Sequence, residues 1–180
     1  MYNKVTPDII SALRSIVGDE FVLTDAESIS VHSEDETEDL NFPPEVIVKP
    51  FKAEEVSLIF KLACEHNIPV TPRGGGTGLS GGALAIHGGI CLAMSRFNKI
   101  IEIDEKNSQA VAEPGVITQV FQEEVEKLGL FYPPDPASRG SCHLGGNLAE
   151  CSGGPRAVKY GVTKDYVLGI EAVLPTGEII

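Results

Sequence analysis

The sequence has no tryptophan, few other aromatic residues and a shortage of basic side chains. Aromatic residues make up 6% of the chain, and 14 lysines and arginines stand against 26 aspartates and glutamates, which gives a formal net charge of -12. An acidic surface repels nucleic-acid phosphates and anionic lipids, and no basic stripe offsets it. The composition therefore excludes nucleic acid as a partner. An anionic ligand would have to be held locally, by backbone N–H groups and one or two cations.

Long hydrophobic runs and a signal peptide are also missing. The longest apolar runs are much shorter than a membrane span, and the N-terminal residues lead straight into a polar helix. The four cysteines match no zinc or CxxC spacing, and a chain of 180 residues does not need disulfides for stability. We therefore expect reduced cysteines, no membrane span and a cytoplasmic location.

The first part of the chain is expected to form one helix followed by an irregular arm. Thr6 is a typical N-cap, Pro7 suits the first helical turn, and Gly18 ends an apolar face that repeats at helical spacing. Residues 21–44 show no sustained period. The acidic run at 34–39 lacks the carboxylate spacing of a calcium loop, which favours a solvated loop over a metal site.

From Glu45 onward the pattern is that of an α+β domain, so we divide the chain into residues 1–44, a helix and arm, and 45–180. A strand at 46–48, a helix at 53–66 and a strand that begins at 68 form a βαβ unit, which predicts a parallel strand pair. The pattern further predicts strands at 90–94, 100–103, 110–112 and 169–174, a helix at 117–128 and a turn-rich stretch at 132–161.

The C-terminal residues have the character of an interrupted hairpin. The turn at 175–177 is followed by apolar residues that are typical of the start of another strand. A chain that stops there leaves a strand edge exposed. We therefore expect a domain that is truncated at its C-terminal end.

The main chemical signal is a glycine-rich segment, residues 71–82, that follows the second strand of the βαβ unit. Successive glycines let backbone N–H groups converge on a phosphate, and Arg73 can add a charge-assisted hydrogen bond. No lysine is present for a Walker loop. The spacing from Gly76 to Gly81 matches GxGxxG, but the glycines at 88–89 leave no room for the helix that a Rossmann fingerprint requires. A glycine loop that only turns the chain stays open as the plain alternative.

A second set of small residues lies far along the chain, in the stretch from Pro133 to Gly161. Two glycine-rich segments widely separated in sequence suit a long ligand that is held along its length, so a dinucleotide with a bulky ring system fits better than a mononucleotide. The pair at 114–115, just after a strand, is a third place where backbone can approach such a ligand closely.

These three motifs together resemble the FAD-binding domain shared by vanillyl-alcohol oxidase and p-cresol methylhydroxylase. The similarity runs from Glu45 to Ile180, and the most similar branch is the glycolate oxidase and D-lactate or D-2-hydroxyglutarate dehydrogenase group. It implies an α+β fold with a small parallel βαβ subdomain and a second mixed or antiparallel sheet. It also implies FAD as cofactor.

The resemblance assigns a set of cofactor-binding residues. It implies that the loop at 73–78 holds the FAD pyrophosphate, and that residues of the second glycine-rich stretch line the flavin. Some covalent members carry histidine where Thr77 stands, so the FAD here is expected to be non-covalent. The cofactor-binding residues implied are Arg73, Gly74, Gly75, Gly76, Thr77, Gly78, Leu79, Pro114, Gly115, Pro134, Asp135, Ser138, Gly145, Gly146, Asn147, Ser152, Gly153, Gly154, Tyr160 and Gly161.

Several polar residues keep two interpretations at this point. Asp135 either bonds the cofactor or caps a proline turn, and Lys159 is either a phosphate partner or a plain loop lysine. Cys142 and His143 are adjacent, which is poor geometry for a tetrahedral zinc, so packing beside the flavin is favoured and no metal is expected.

The reaction implied by the resemblance is hydride transfer from a 2-hydroxy acid to FAD, with a base that takes the hydroxyl proton. The family carries its substrate residues in a later cap domain, and no such segment occurs here. We therefore name no catalytic residue and expect no turnover by this chain alone. A non-catalytic FAD-binding module and a UDP-sugar reductase of the same fold are the alternatives. The electron acceptor is not identified, and a homodimer stays open.

Overall fold

The computed structural model describes residues 2–180 and divides the chain into two compact units, residues 2–96 with 171–180 and residues 97–170. The helices are α1 (Pro7–Val17), α2 (Ala26–Val31), α3 (Ala53–Glu65), α4 (Thr118–Glu126), α5 (Leu144–Glu150) and α6 (Ala157–Tyr160). The strands are β1 (Val22–Leu23), β2 (Val46–Val48), β3 (Val70–Arg73), β4 (Ile90–Ala93), β5 (Ile100–Asp104) and β6 (Gln109–Ala112).

The first unit is built on a four-stranded mixed sheet with the order β1-β2-β4-β3. β2 and β3 each pair in parallel with β4, which lies between them, and β1 pairs antiparallel with β2. The sequence-based expectation that the two strands of the βαβ unit are neighbours is therefore wrong. Their parallel direction is confirmed. A crossover helix fixes the direction of the second strand but leaves room for a third strand between them.

Helices cover both faces of this sheet. Ile47, Cys91 and Ala93 form a buried cluster with Leu23 and Ile29, which brings α2 against one face. Helices α1 and α3 contact each other, and α1 also contacts β2. All three residues of β2 are fully buried, as a strand covered on both sides requires.

The N-terminal helix begins and ends where its sequence signals predict. The Thr6 hydroxyl accepts a hydrogen bond from the backbone N–H of Ile9 at 3.4 Å, and Gly18 ends the helix with a φ of 95°. Helix α3 also matches its predicted range closely. In contrast, β1 and α2 lie in the region that was expected to be an irregular arm. Both are too short to produce a clear period.

The second unit contains the antiparallel β5–β6 hairpin and helices α4, α5 and α6. Its core is made by Val116, Phe121 and Val125, with Tyr132 and Leu144 packed against them. Helices α5 and α6 lie in the stretch that was expected to consist of turns. Two glycines in α5 lower its intrinsic helix propensity, which is why the sequence did not predict it.

The C-terminal segment differs from the expected strand at 169–174. Instead, an antiparallel bridge between Val173 and Ile179 forms, with backbone hydrogen bonds in both directions between Ala172 and Ile180. The N–H of Leu174 also donates to the carbonyl of Glu178 at 2.8 Å, so the expected hairpin is present but is too short for a regular strand. The turn that joins the two bridged residues packs on α3, where the Ser57 hydroxyl donates to the carbonyl of Gly177 at 2.5 Å. Among residues 2–180, no helix combines the length and the apolar character needed to cross a bilayer.

The buried thiol of Cys91 makes the stability of the first unit depend on pH. This side chain is 1% exposed, and burial raises the pKa of the thiol from its ordinary value of 9.0 to about 11, while the charges of Arg73 and Lys49 act in the opposite direction. The Cys91 thiol therefore loses its proton at a lower pH in the unfolded chain than in the folded one. The contribution of the buried, protonated thiol to the free energy of unfolding is complete below pH 9 and is lost as pH rises through about 11. Two pKa units correspond to about 3 kcal/mol.

We expect the free energy of unfolding of the wild type to fall more steeply than that of Cys91→Ala between these pH values. Urea unfolding curves at a series of pH values measure both, and the comparison removes the contribution of other groups that titrate there. Parallel pH profiles for the two proteins would contradict this account.

Candidate functional site

The glycine-rich segment leaves the carboxyl end of β3 as a loop without regular structure. Strand β3 ends at Arg73, and residues 74–89, all of which are described, contain no helix. This confirms the exclusion of a Rossmann fingerprint, because that motif needs a helix N-terminus at the phosphate. The loop still occupies the position where open parallel sheets bind ligands, outside the carboxyl ends of their strands.

The backbone of this loop offers hydrogen-bond donors that the protein does not use. Within residues 2–180, no protein group accepts a hydrogen bond from the backbone N–H groups of Gly74, Gly75, Gly76 or Thr77. Gly76 has a φ of 69°, and a Cβ at this position would overlap the guanidinium of Arg73. The loop therefore requires glycine at 76, and its free N–H groups can bond an anion.

Arg73 lies under the loop rather than in front of it. Its side chain is 8% exposed, and its Nη2 donates to the carbonyl of Glu34 at 2.6 Å. Its Nη1 is buried without a hydrogen-bond partner among the described residues. The acidic run that contains Glu34 was expected to be a solvated loop. Residues 34–39 do form a loop whose side chains are exposed or half-buried, and its Glu34 carbonyl also accepts a hydrogen bond from the buried guanidinium.

The second unit carries the other predicted residues, and Asp135 is the most constrained of them. Its carboxylate is 7% exposed and lies 3.2 Å from Nε of Arg156 and 3.8 Å from Nη1 of Arg139. The same carboxylate accepts the backbone N–H of Arg156 at 3.2 Å. Between the two interpretations left open by the sequence, this geometry favours a structural anchor, because the chain itself occupies the carboxylate oxygens.

Gly154 lies against the backbone of Asp135. Its φ is 124°, and a Cβ there would overlap the carbonyl oxygen of Asp135. Only glycine fits such a conformation at such a distance. The segment from Gly154 to Arg156 is therefore clamped to the Pro134–Asp135 segment by packing and by charge together.

Two adjacent glycines at the start of α5 have different surroundings. Gly145 donates its N–H to the carbonyl of Pro114 at 2.8 Å, and a Cβ on it would lie 2.6 Å from the Cβ of Pro114. Gly146 is exposed, a Cβ on it would have nothing within 4 Å, and its N–H has no acceptor in the described part of the chain. Packing against Pro114 explains why residue 145 is a glycine. No contact within the chain explains why residue 146 is one.

Asn147 points into the core. It is 2% exposed, and its side-chain amide donates to the hydroxyl of Thr118 at 2.5 Å. The Thr118 hydroxyl also lies 3.2 Å from Sγ of Cys142. The sequence indicated only that the backbone near Asn147 approaches a ligand. It did not single out Thr118, whose buried hydroxyl orients this amide.

The other predicted residues of the second unit are held by local contacts. The Ser152 carbonyl accepts the backbone N–H of Thr163 at 3.0 Å, and the Tyr160 carbonyl accepts the Tyr166 hydroxyl at 2.5 Å. Gly115 donates to the carbonyl of Phe97 at 2.6 Å. Pro134 is buried, whereas Ser138, Gly153 and Gly161 are partly exposed. Lys159 is exposed, and its Nζ lies 4.7 Å from the centre of the Tyr160 ring.

His143 precedes α5 and has an unusual environment. Burial lowers the pKa of its imidazole, which keeps the ring neutral, and its Nδ1 is buried without a partner in residues 2–180. No group of three or more His, Cys, Asp or Glu side chains in the described residues is placed to hold a metal ion. The neighbouring Cys142 is buried, and its thiol forms a hydrogen bond with the Thr118 hydroxyl.

The residues present fit FAD in two respects. The loop after β3 supplies a row of unused N–H groups, which are hydrogen-bond donors of the kind that phosphate oxygens require. The open face of Gly146 allows a flat ring system to approach the backbone without meeting a side chain. In the first unit, Gly74 to Thr77 would hold the pyrophosphate oxygens. In the second unit, the backbone at Gly146 would accept a ring system.

Comparison with known proteins shows the family of the chain. The sequence profile of a family described as "FAD binding domain" matches residues 44–180. The chain is 43% identical over 176 residues to glycolate oxidase subunit GlcD of Bacillus subtilis, covering 98% of this chain and 37% of that protein. It is 42% identical over 190 residues to D-lactate dehydrogenase of Anaerostipes hadrus, covering 99% of this chain and 38% of that protein.

A solved structure shows the same fold. The structure of p-cresol methylhydroxylase with substrate bound has a TM-score of 0.84 at 24% identity, and the match covers 100% of this chain and 36% of that one. The chain thus spans little more than a third of the length of the proteins that it matches. The predicted α+β fold of the vanillyl-alcohol oxidase type is confirmed. The chain belongs to the FAD-binding domain family, and its cofactor is FAD.

Proposed function

We propose that this chain is the FAD-binding part of a flavin-dependent oxidoreductase that oxidises a 2-hydroxy acid of the glycolate, D-lactate or D-2-hydroxyglutarate type. The names of the relatives in Bacillus subtilis and Anaerostipes hadrus support the substrate class. The row of unused N–H groups from Gly74 to Thr77 is the observation that carries the binding role. When bound, the flavin supplies the acceptor for a hydride from the carbinol carbon.

In this proposal the chain's own residues bind and orient the cofactor. The N–H groups of the loop after β3 bond the pyrophosphate oxygens, and Leu79, 77% exposed, continues that surface. In the second unit, the backbone at Pro114, Gly115 and Gly146 lies beside the flavin, together with Ser138 and the segment 152–154. The Asp135 carboxylate stays bonded to Arg156, so Asp135 contributes to FAD binding by holding the Pro134–Asp135 segment in its conformation.

The chain carries no residue to which we assign proton transfer. Oxidation of a 2-hydroxy acid needs a base for the hydroxyl proton and a cation for the carboxylate. Arg139 and Arg156 are the cations of the second unit that flank Asp135, and both are engaged by its carboxylate. We therefore propose that the chain alone binds FAD without turnover.

FAD is expected to be released completely when the protein is denatured. Thr77 stands where some covalent members of the family carry the histidine that bonds the flavin, and a threonine hydroxyl does not form such a bond. Precipitation with acid followed by absorption of the supernatant measures the released fraction. A yellow pellet would show a covalent link and contradict this expectation.

The function is tested by flavin absorption and by reduction of the bound flavin. The purified chain is mixed with FAD, freed of unbound flavin and scanned; a retained band confirms the cofactor site. The complete product of the gene is then mixed anaerobically with glycolate, D-lactate or D-2-hydroxyglutarate. Bleaching by one of them supports the proposal.

Two other outcomes would favour the alternatives. Bleaching by a reduced nicotinamide cofactor with reoxidation by a UDP-sugar would indicate a UDP-sugar reductase. Stable FAD binding by the complete product with no bleaching by any of these compounds would favour a non-catalytic FAD-binding module. A colourless complete product that does not take up FAD would overturn the cofactor assignment.

A further inference from the structure

A segment outside the region matched by the family profile contacts the glycine loop at several points. We call residues 31–40 the acidic arm; the profile begins at residue 44. Arg73 Nη2 donates to the Glu34 carbonyl at 2.6 Å and lies 3.5 Å from that of Val31. The N–H of Glu36 donates to the carbonyl of Gly78 at 3.1 Å. The N–H of Gly81 donates to the Thr37 hydroxyl at 2.9 Å.

These contacts join the arm to both ends of the loop. Arg73 immediately precedes the loop, and Gly78 and Gly81 follow the free N–H groups of residues 74–77, so the arm holds the chain on both sides of those groups. Leu40 adds an apolar contact, because one of its methyl carbons lies 3.5 Å from where a Cβ on Gly81 would be. A loop rich in glycine has a large conformational entropy in isolation, so external anchors are needed to hold its donors in one arrangement.

The charge of the arm does not explain its position. A carboxylate oxygen of Asp35 lies 3.9 Å from where a Cβ on Gly78 would be, and carboxylates disfavour an anion at an adjacent site. The burial of Arg73 also argues against a direct phosphate contact, because its Nη1 is inaccessible to a ligand that arrives from solvent. What the arm contributes is geometry: two anchors for the backbone of the loop.

We propose that the acidic arm is a structural part of the pyrophosphate site, and that Thr37 and Arg73 are positioning residues for the loop N–H groups. This inference rests on the proposed function, since it assigns the loop to the pyrophosphate of FAD. Thr37 offers the sharper test. Its hydroxyl accepts from Gly81 at one end of the loop, and the side chain is small enough to be changed without a cavity.

The experiment compares Thr37→Val, which keeps the shape and loses the acceptor, with Thr37→Ser, which keeps the acceptor. Thr24→Val is the matched control, because Thr24 is exposed and makes no hydrogen bond among the described residues. The dissociation constants of FAD and of ADP, which carries the pyrophosphate without the flavin, are measured by calorimetry. Thermal unfolding of each variant is recorded alongside.

We expect Thr37→Val to weaken FAD and ADP by the same factor, about tenfold, the equivalent of one lost hydrogen bond. Thr37→Ser and Thr24→Val are expected to bind as the wild type does. Equal binding by Thr37→Val and the wild type would overturn the inference while leaving the proposed function intact. Equal weakening in Thr37→Val and Thr37→Ser would also overturn it. A wild type that binds neither FAD nor ADP would overturn the proposed function itself.

Discussion

Replacing Gly146 with leucine should remove most of the affinity for FAD while leaving the fold at least as stable. Gly146 lies in helix α5, is exposed and has open space where a side chain would project. Leucine is a better helix former than glycine by up to about 1 kcal/mol. The glycine therefore has a cost to stability that no contact in the chain offsets, and in our proposal it is present because the cofactor approaches the backbone closely.

A leucine side chain on this face would occupy the space that the proposal assigns to the flavin. We expect the dissociation constant of FAD to rise at least about 100-fold, which corresponds to roughly 3 kcal/mol. Fluorescence titration with FAD measures the affinity, and urea unfolding measures the stability. Gly146→Ala should give a smaller loss in the same direction, because a methyl group intrudes less.

Gly169→Leu is the matched control for this substitution. Gly169 also has nothing within 4 Å of an added Cβ, and it is not one of the predicted cofactor-binding residues. The control should bind FAD as tightly as the wild type does. Unchanged FAD binding in Gly146→Leu would remove the structural argument for a ligand at α5.

Replacing Gly154 with alanine should destabilise the second unit by about 3 kcal/mol, because two separate penalties act at one position. The φ of 124° is a conformation that residues with a side chain rarely adopt, and the added Cβ would overlap the carbonyl oxygen of Asp135. The backbone around residue 154 has to move, and the hydrogen bond from the Arg156 N–H to the Asp135 carboxylate would be strained or lost.

Thermal unfolding followed by circular dichroism measures this effect, and a decrease of about 10 °C in the melting temperature is expected for a protein of this size. Gly153→Ala serves as the control. A Cβ on Gly153 would lie 3.3 Å from side-chain carbons of Ala157 and Val162, a tight contact that small shifts relieve. A Gly154→Ala protein as stable as Gly153→Ala would show that residues 154–156 are not clamped as the structure indicates.

The elements that the sequence predicted well are those whose signals are local. Helix α1 has a capping threonine at one end and a glycine at the other, and α3 has a continuous apolar face. The absence of a helix after the first glycine motif was also predictable, since the glycines at 88–89 interrupt any helical run. Local rules are sufficient wherever the stabilising contact lies within one or two turns of the chain.

Helix α5 shows where local rules fail. Its sequence contains two adjacent glycines, which predict a turn, yet it is helical in the structure. Gly145 packs on Pro114, and the Asn147 side chain bonds Thr118, so contacts with distant residues outweigh the poor propensity. The segment at 169–174 is the opposite case. It has strand-forming residues, but only residues 172–174 pair, with residues 178–180 across the turn, and so short a ladder does not make a regular strand.

The sequence by itself determined the family, the cofactor and the position of the glycine loop, because those depend on glycines and their spacing along the chain. Only the tertiary structure decided which polar groups are free to meet a ligand. It placed Arg73 beneath the loop and Asp135 between two arginines, and it left the N–H groups of Gly74 to Thr77 unused. The physical reason is that a buried charge takes the partners that folding brings to it. Glu34, the partner of Arg73, lies 39 residues away along the chain, and Arg156, one of the two partners of Asp135, lies 21 residues away.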